Sequence, residues 1–386
     1  MRILVLGGAG YIGSQAVRDL VETSDFTQIT IGDIDLPKAE ALVRRLGDDR
    51  LSAVKVDVKD EASLINLISE FDIVASTLPW TYDPLITRAC IKAGVNGLDV
   101  DTEETQFDYD AEAREAGVLY VPGVGATPGI TNVLAKYGAE QLDSVESIRI
   151  AFAAFRCVAP APGLLYTTIW EVDPTVKERA YYEDGRLVPV PPLSGEMVVK
   201  FLEPIGSQKV YYVPHSETYT LPKYIPGVRR VEVRGTWPPE VIELLRVLLN
   251  FGFLSEKPIN IKGVDISPKE FVYEHLSRVP EAKKTEVWGY GLHVEVSGLK
   301  DGMNVCCVLR VGQPLGQGWE GPIAYPRFVG TPLSIGVQMM AKGLIKGVGV
   351  LPPEACIPTK PFLDELAKRG YRIEERLIGY RTIRQP

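Results

Sequence analysis

Ile3-Leu4-Val5-Leu6, followed by Gly8-Ala9-Gly10-Tyr11-Ile12-Gly13, decides the fold. An unbroken apolar run reads as a strand covered on both faces. The glycines after it read as a turn through which backbone amides and a helix N-terminus can approach a pyrophosphate. Downstream, Ile12, Ala16, Val17, Leu20 and Val21 repeat at helical spacing, and Ile29-Thr30-Ile31 leads into Gly32-Asp33. The interval from Gly13 to Asp33 is about 20 residues, the spacing at which a dinucleotide fold places an acid on the adenosine ribose. A carboxylate there repels a 2′-phosphate, so NAD is expected rather than NADP.

The alternation continues outward. Helical patterns through Ala39–Leu46, Leu64–Ile68 and Leu85–Ala93 are interleaved with strand-like runs at 53–58, 72–77 and 97–101 and, further on, at 118–121. Strict alternation of this kind predicts a Rossmann-type, doubly wound parallel sheet with right-handed crossovers. Ligands of such sheets bind beyond the carboxyl ends of the strands. The expected cofactor residues are therefore Gly8, Gly10, Tyr11, Ile12, Gly13, Asp33, Asp57, Thr77, Leu78, Pro79 and Gly125. In Gly123-Val-Gly-Ala-Thr-Pro-Gly129, Thr127 suits an N-cap and Pro128 a first helical position.

From about residue 145 the βα rhythm ends and proline, tyrosine and short strand-like pieces take over, which predicts a second α+β domain with a mixed or antiparallel sheet. The expected division is 1–126 for dinucleotide binding and 127–330 for substrate and dimerisation. Residues 331–386 are then expected to pack back on the first sheet.

Composition narrows the partners. A net charge of −8 argues against nonspecific nucleic-acid binding, which needs a basic field. No run approaches the ~18 apolar residues of a membrane span, and Met1 leads straight into a strand, so a cytoplasmic protein is expected. Five dispersed cysteines and three histidines without paired spacing predict no metal.

The glycine turn also resembles that of the extended short-chain dehydrogenases. These use a Tyr-x-x-x-Lys pair on one helix face; Tyr219 and Lys223 match by spacing, but Pro222 between them is expected to break the helix. Ser76-Thr77-Leu78-Pro79 also replaces that family's Asn-Ala-Gly.

Four other stretches resemble the saccharopine dehydrogenase family, and together they span nearly the whole chain. Leu78-Pro79-Trp80-Thr81-Tyr82 is similar to its Ile-Pro-Tyr-Thr-Phe, and Gly123–Ile130 to its Gly-Leu-Asp-Pro-Gly-Ile turn. Tyr166–Trp170 resembles its Phe-Ser-Trp substrate strand, and Thr331 through Glu354 its carboxy-terminal return. Where saccharopine reductases carry Pro-Asn-Arg-Asp-Ser, this chain has Pro214-His215-Ser216-Glu217-Thr218, so the arginine for a dicarboxylic substrate is missing.

The resemblance implies hydride transfer at a carbon–nitrogen centre of an amino acid or polyamine, nearest to lysine 6-dehydrogenase. Saccharopine-type imine reduction is an alternative reading. An NAD-using transferase of the homospermidine synthase type and a noncatalytic NAD(H) sensor are others. It implies His215 as base, with Asp101 or Glu217 as carboxylate alternatives for base or ammonium anchor. Arg156 or Arg230 would meet a substrate carboxylate, and Tyr82, Tyr166 and Trp170 would wall the pocket. A homodimer through the strand-rich layer is expected, with a small amine or amino acid as substrate.

Overall fold

Ile3–Leu6 is fully buried, as an apolar run flanked by helices on both faces requires. The computed structural model describes residues 1–278, 286–316 and 318–380. Two compact units result: Met1–Tyr137 with Pro326–Tyr371, and Gly138–Tyr325 with the segment from Arg372 onward.

The first unit begins β1 (Arg2–Leu6), α1 (Gly13–Thr23), β2 (Gln28–Asp33), α2 (Leu36–Leu46), β3 (Leu51–Lys55), α3 (Glu61–Ile68) and β4 (Ile73–Ser76). It continues α4 (Asp83–Ala93), β5 (Asn96–Asp99), α5 (Asp110–Ala116), β6 (Leu119–Val121) and α6 (Ile130–Ala139).

The chain then forms β7 (Ser144–Phe155), α7 (Pro162–Trp170), β8 (Ala180–Glu183), β9 (Arg186–Pro189), β10 (Met197–Lys200), β11 (Ser207–Tyr212) and α8 (Glu217–Tyr224). Next come β12 (Arg230–Thr236), α9 (Pro239–Asn250), the hairpin β13 (Ile259–Ile261) and β14 (Val264–Ile266), α10 (Pro268–Arg278), β15 (Gly289–Lys300) and β16 (Met303–Gly312). The last elements are α11 (Ala324–Ala341), β17 (Gly349–Val350), α12 (Pro353–Cys356), α13 (Thr359–Lys368) and β18 (Arg372–Tyr380).

The first sheet runs β17-β6-β5-β4-β1-β2-β3, parallel at every pairing. Strand order reverses between β1 and β4, so the glycine turn after β1 sits at the point where such sheets bind ligands. The second, nine-stranded sheet has the path β10-β11-β12-β7-β15-β16-β18, with β8 and β9 added on β12. Among the described residues only β12 and β7 pair in parallel there, so the sheet is mixed, and the expected fold class is borne out.

Several local expectations need correction. The third strand ends at Lys55, which leaves Asp57 exposed in a turn where it accepts the Lys59 amide. Tyr166–Trp170 is helical, since Pro162 starts α7 at a position that needs no amide donor. Helix α6 starts at Ile130, beyond Thr127 and Pro128, which belong to the preceding turn. Pro222 does not break α8: the helix passes through it, and the Lys223 ammonium lies 5.8 Å from the Tyr219 ring centre.

The two compact units divide the chain after residues 137, 325 and 371. The C-terminal segment divides accordingly. Residues 331–371 join the first unit, whereas β18 pairs with β16 of the second sheet.

Within the first unit the returning segment is locked to α1. Asp19 accepts from Ser334 Oγ at 2.6 Å and from Arg369 Nε at 2.9 Å. A Cβ on Gly330 would meet Ile12 O at 2.8 Å and Ala16 N at 2.9 Å, so α11 lies backbone-close to the start of α1.

The second sheet carries a charge ladder centred on Glu232 of β12. Its carboxylate accepts from Arg149 at 2.7 Å and Tyr212 Oη at 3.1 Å, and pairs with Arg234 at 2.7 Å and Arg230 at 3.1 Å. Burial alone would raise its pKa, but the hydrogen bonds and charges of Arg234 and Arg149 outweigh that and hold it at about 2. Glu232→Ala would leave buried Arg234 without its carboxylate, while Arg149 and Arg230 are half-exposed and keep Glu295 and Glu183. We expect a loss of about 1–3 kcal/mol in a denaturant titration, the cost of leaving one buried group unpaired.

Candidate functional site

The glycine turn is packed too tightly for side chains. Gly7 adopts φ +68°, and its amide donates to Gly32 O at 2.8 Å, tying the turn to β2. A Cβ on Gly13 would overlap Gly7 O and come within 2.6 Å of Thr77 Oγ1. Helix α1 begins here with Ile12 at its N-cap, no side-chain cap and no acid in its first turn. The Ser14 and Gln15 amides donate to Gly10 O and Ile12 O, both at 3.0 Å, and the positive end of the helix dipole faces the turn, which fits the pyrophosphate of a dinucleotide.

Asp33 stands at the end of β2 beside this turn. Oδ2 accepts the Ala9 amide at 3.2 Å and Oδ1 the Asp35 amide at 3.1 Å. Thr77 faces the glycines from the end of β4, its hydroxyl within hydrogen-bonding distance of Leu6 O (3.2 Å) and Gly7 O (3.1 Å). Leu78 and exposed Pro79 follow it and lead into the short 3₁₀ turn Trp80–Tyr82. Tyr82 is half-buried, with the Lys59 ammonium 5.9 Å from its ring centre.

The second glycine turn is equally constrained. Gly125 N–H donates to Pro128 O at 3.0 Å, and a Cβ on Gly125 would lie 2.7 Å from Val100 O. Asn132 accepts the Gly129 amide at 2.8 Å and donates to Glu354 Oε2 at 2.8 Å, which anchors the turn to α12. Asp101 is half-buried in the loop after β5, close enough for its charge to act on Asp83 and Asp99.

In the second unit, three of the expected residues come together. His215 and Glu217 open α8, with Nδ1 of the imidazole 3.4 Å from Glu217 Oε2, and Glu217 is fully buried. The imidazole packs on Phe152 of β7 at 5.0 Å between ring centres, and Phe152 lies 6.1 Å from Tyr290 of β15. Arg156, buried just past β7, is held by Thr168 Oγ1 at 2.7 Å and by the carbonyls of Cys157 and Val158 at 3.0 and 3.3 Å. Its guanidinium lies over Tyr325 at 5.0 Å.

Tyr290 is the centre of this group. Tyr325 stacks on it at 5.3 Å, and the charges of Glu171, Arg156 and Glu217 all reach its hydroxyl. Burial first, then Tyr325, Glu171 and Glu217, push its pKa well above the ordinary value against the opposing pull of Arg156, so it stays a neutral hydroxyl. One guanidinium and two buried carboxylates around a phenol and an imidazole suit a substrate with both cationic and anionic ends.

Arg230 is engaged with Glu183 at 2.7 Å and with Glu232, in the charge ladder. Tyr166 is 39% exposed and stacks on Tyr273 at 5.5 Å. Trp170 ends α7 one residue before Glu171. Tyr290 and Tyr325 were invisible in the sequence, because tertiary pairing of β15 with β7 is what brings Tyr290 beside Phe152 and Arg156.

Among the described residues, no helix is long and apolar enough to cross a membrane. Residues 3–121 match the family model "Saccharopine dehydrogenase NADP binding domain", and residues 125–371 match "Saccharopine dehydrogenase C-terminal domain". Carboxyaminopropylagmatine dehydrogenase of Synechocystis sp. is 25% identical over 408 residues, covering 98% of each chain. Saccharopine dehydrogenase [NADP(+), L-glutamate-forming] of Schizosaccharomyces pombe is 22% identical, over 98% of this chain and 99% of its own. Carboxynorspermidine synthase of Vibrio alginolyticus is 25% identical over 69% of this chain and 70% of its own. The apo saccharopine dehydrogenase (L-Glu forming) structure from Saccharomyces cerevisiae superposes with a TM-score of 0.72 at 18% identity, covering 98% of this chain and 99% of that one. With both domain models matched and the parallel sheet with its glycine turn and the second mixed sheet in place, the chain belongs to the saccharopine dehydrogenase family and is an NAD(P)-dependent oxidoreductase of carbon–nitrogen bonds.

Proposed function

We propose that the chain transfers hydride at the carbon of a secondary amine joining an amino-acid-like carboxylate to a cationic polyamine-like arm. One observation carries this reading: Arg156, Glu171 and Glu217 share the buried surroundings of Tyr290. The arginine suits the carboxylate, and the two acids suit the cationic arm. The names of the relatives from Synechocystis and Vibrio, both denoting carboxylated polyamines, support it. Direct oxidation of a primary amine, as in lysine 6-dehydrogenase, uses the same chemistry on a shorter substrate.

When bound, the nicotinamide supplies or accepts the hydride. The protein's own part is proton transfer and positioning. In the oxidative direction His215 takes the proton from the substrate ammonium, so that the nitrogen lone pair is free as the neighbouring C–H leaves as hydride. Glu217 orients the imidazole and stabilises its protonated form. Aromatic walls at Phe152, Tyr290 and Tyr325 keep water away.

The test is an absorbance assay at the nicotinamide band with carboxyalkylated polyamines, saccharopine and lysine, each with NAD and NADP. Turnover greatest with a carboxyalkylated polyamine is the expected result; no turnover of any substrate with either cofactor would sink the proposal.

For the cofactor we propose NAD, on the strength of the Asp33 carboxylate at the end of β2, although the matched family model is described as NADP binding. Asp33→Ala is expected to raise kcat/KM for NADP relative to NAD by about tenfold, or ~1.4 kcal/mol, as the repulsion of a 2′-phosphate is removed. An unchanged ratio would assign the preference to other residues.

A further inference from the structure

Trp237, the residue after β12, is 1% exposed, yet among the described residues its indole N–H has no hydrogen-bond partner. A buried donor left unmade loses its hydration and gains nothing in return. Strand register shows where it sits. In the parallel pairing of β12 with β7, Gly235 lies opposite Phe152 and Thr236 opposite Ala153, so Trp237 comes level with Ala154. From the other side, Tyr290 of β15 pairs with Ala154. Side chains alternate along a strand, so Phe152, Ala154, Trp237 and Tyr290 share one face of the sheet. The ring contacts agree: Phe152 meets Trp237 edge to face at 6.2 Å and Tyr290 at 6.1 Å.

This face is low at its centre. Ala154 brings only a methyl group, and Gly235 admits no Cβ, which would overlap the Phe152 ring. The same ring carries His215 at 5.0 Å, so the indole and the imidazole both pack against Phe152. Arg156, two residues beyond Ala154, brings a guanidinium whose Nε also lacks a partner among the described residues. Both unmade groups are N–H donors with no capacity to accept, so only an acceptor can complete them. On an amine of the kind proposed above, ammonium groups donate, and the carboxylate oxygens are the strong acceptors.

We propose that the Trp237 indole N–H donates to the substrate carboxylate attracted by Arg156, and that this neutral donor helps select a carboxylated amine over a plain polyamine. The inference rests on the reading of Arg156 as the carboxylate's partner. An indole N–H adds direction without adding charge. A substrate entering the other way round would set ammonium hydrogens against it and leave it unmade.

The experiment is a calorimetric titration of the full chain with two amines, for wild type and Trp237→Phe. One amine is putrescine carrying a carboxypropyl group on one nitrogen. The other carries a butyl group there, with a methyl where the first has its carboxylate. Wild type is expected to bind the carboxylated amine more tightly. Trp237→Phe keeps an aromatic ring and removes the N–H; it should weaken the carboxylated amine about tenfold, or ~1.4 kcal/mol, and leave the butyl amine unchanged. Equal weakening of both amines would make Trp237 a wall of the pocket and overturn the assignment. So would a wild type that binds neither amine or binds both alike.

Thermal unfolding of the free chain gives a second reading that needs no ligand. With its N–H unmade, Trp237 loses no hydrogen bond on replacement by Phe, so the midpoint should stay where it is or rise. A clear fall in the midpoint would show that the N–H already has its partner in the free chain, a bound water or the face of Phe152, and would also overturn the assignment. Binding with the expected preference but no turnover with either nicotinamide would refute the hydride-transfer reading instead and leave the role of Trp237 standing.

Discussion

Gly13→Ala is expected to weaken nicotinamide binding at least 100-fold, or about 3 kcal/mol, in a fluorescence titration. A methyl group at this position has no space, since it would overlap Gly7 O and approach Thr77 Oγ1 at 2.6 Å and Gly8 Cα at 2.8 Å. Two of those three contacts are backbone and cannot swing aside. The turn must open, and with it the N-terminus of α1 leaves the place where a pyrophosphate would be held. Gly10→Ala provides the graded control. Its Cβ would meet only Gly7 O, at 2.9 Å, so a smaller loss is expected. Wild-type affinity in Gly13→Ala would show that the dinucleotide is not bound through this turn.

His215→Ala is expected to lower kcat by about 10²–10⁴-fold, the usual contribution of a positioned general base, with little change in substrate KM. Glu217→Gln should cost less, because the amide keeps the shape and loses only the charge beside Nδ1, 3.4 Å away. Its diagnostic is the split between kcat and KM: a lower kcat at unchanged KM marks Glu217 as the group that orients the imidazole, and a raised substrate KM marks it as an ammonium anchor. Unchanged kcat in His215→Ala would take the base role away from that residue.

Much of the first unit was legible because its signals are local. Ile3–Leu6, the glycines and Asp33 lie within one βαβ unit, where a run of apolar residues, a turn type and a helical period all act over a few residues. The errors there are also local: a strand end displaced to Lys55, and a helix that waits until Ile130 because the 123–129 turn closes on itself through Gly125 and Pro128. Pro222 shows the opposite case. The proline withholds one amide, yet α8 continues to Tyr224, its residues Leu221 and Thr220 buried against the rest of the unit.

The acids were harder to place. Asp99 lies in the strand-like run 97–101, and nothing local marks it as buried; it is the Gly123 amide and Gln106, from further along the chain, that enclose it. Arg230 read as a substrate arginine, but strand register sets Glu183 and Glu232 beside it, and a side chain ringed by carboxylates has its partners already.

By itself, then, the sequence determined the doubly wound sheet, the glycine turn after β1 and the acid after β2, all of them set by spacing along a short length of chain, while the family resemblance singled out His215 and Glu217. Only the tertiary structure decided which charged groups surround that pair. Arg156, Glu171, Glu217 and Tyr290 come from the end of β7, the end of α7, the start of α8 and the start of β15, and what unites them is the hydrogen-bonded register of β15 on β7 and the packing of helices on that sheet. Such pairings join residues far apart in the chain, and no local period records them.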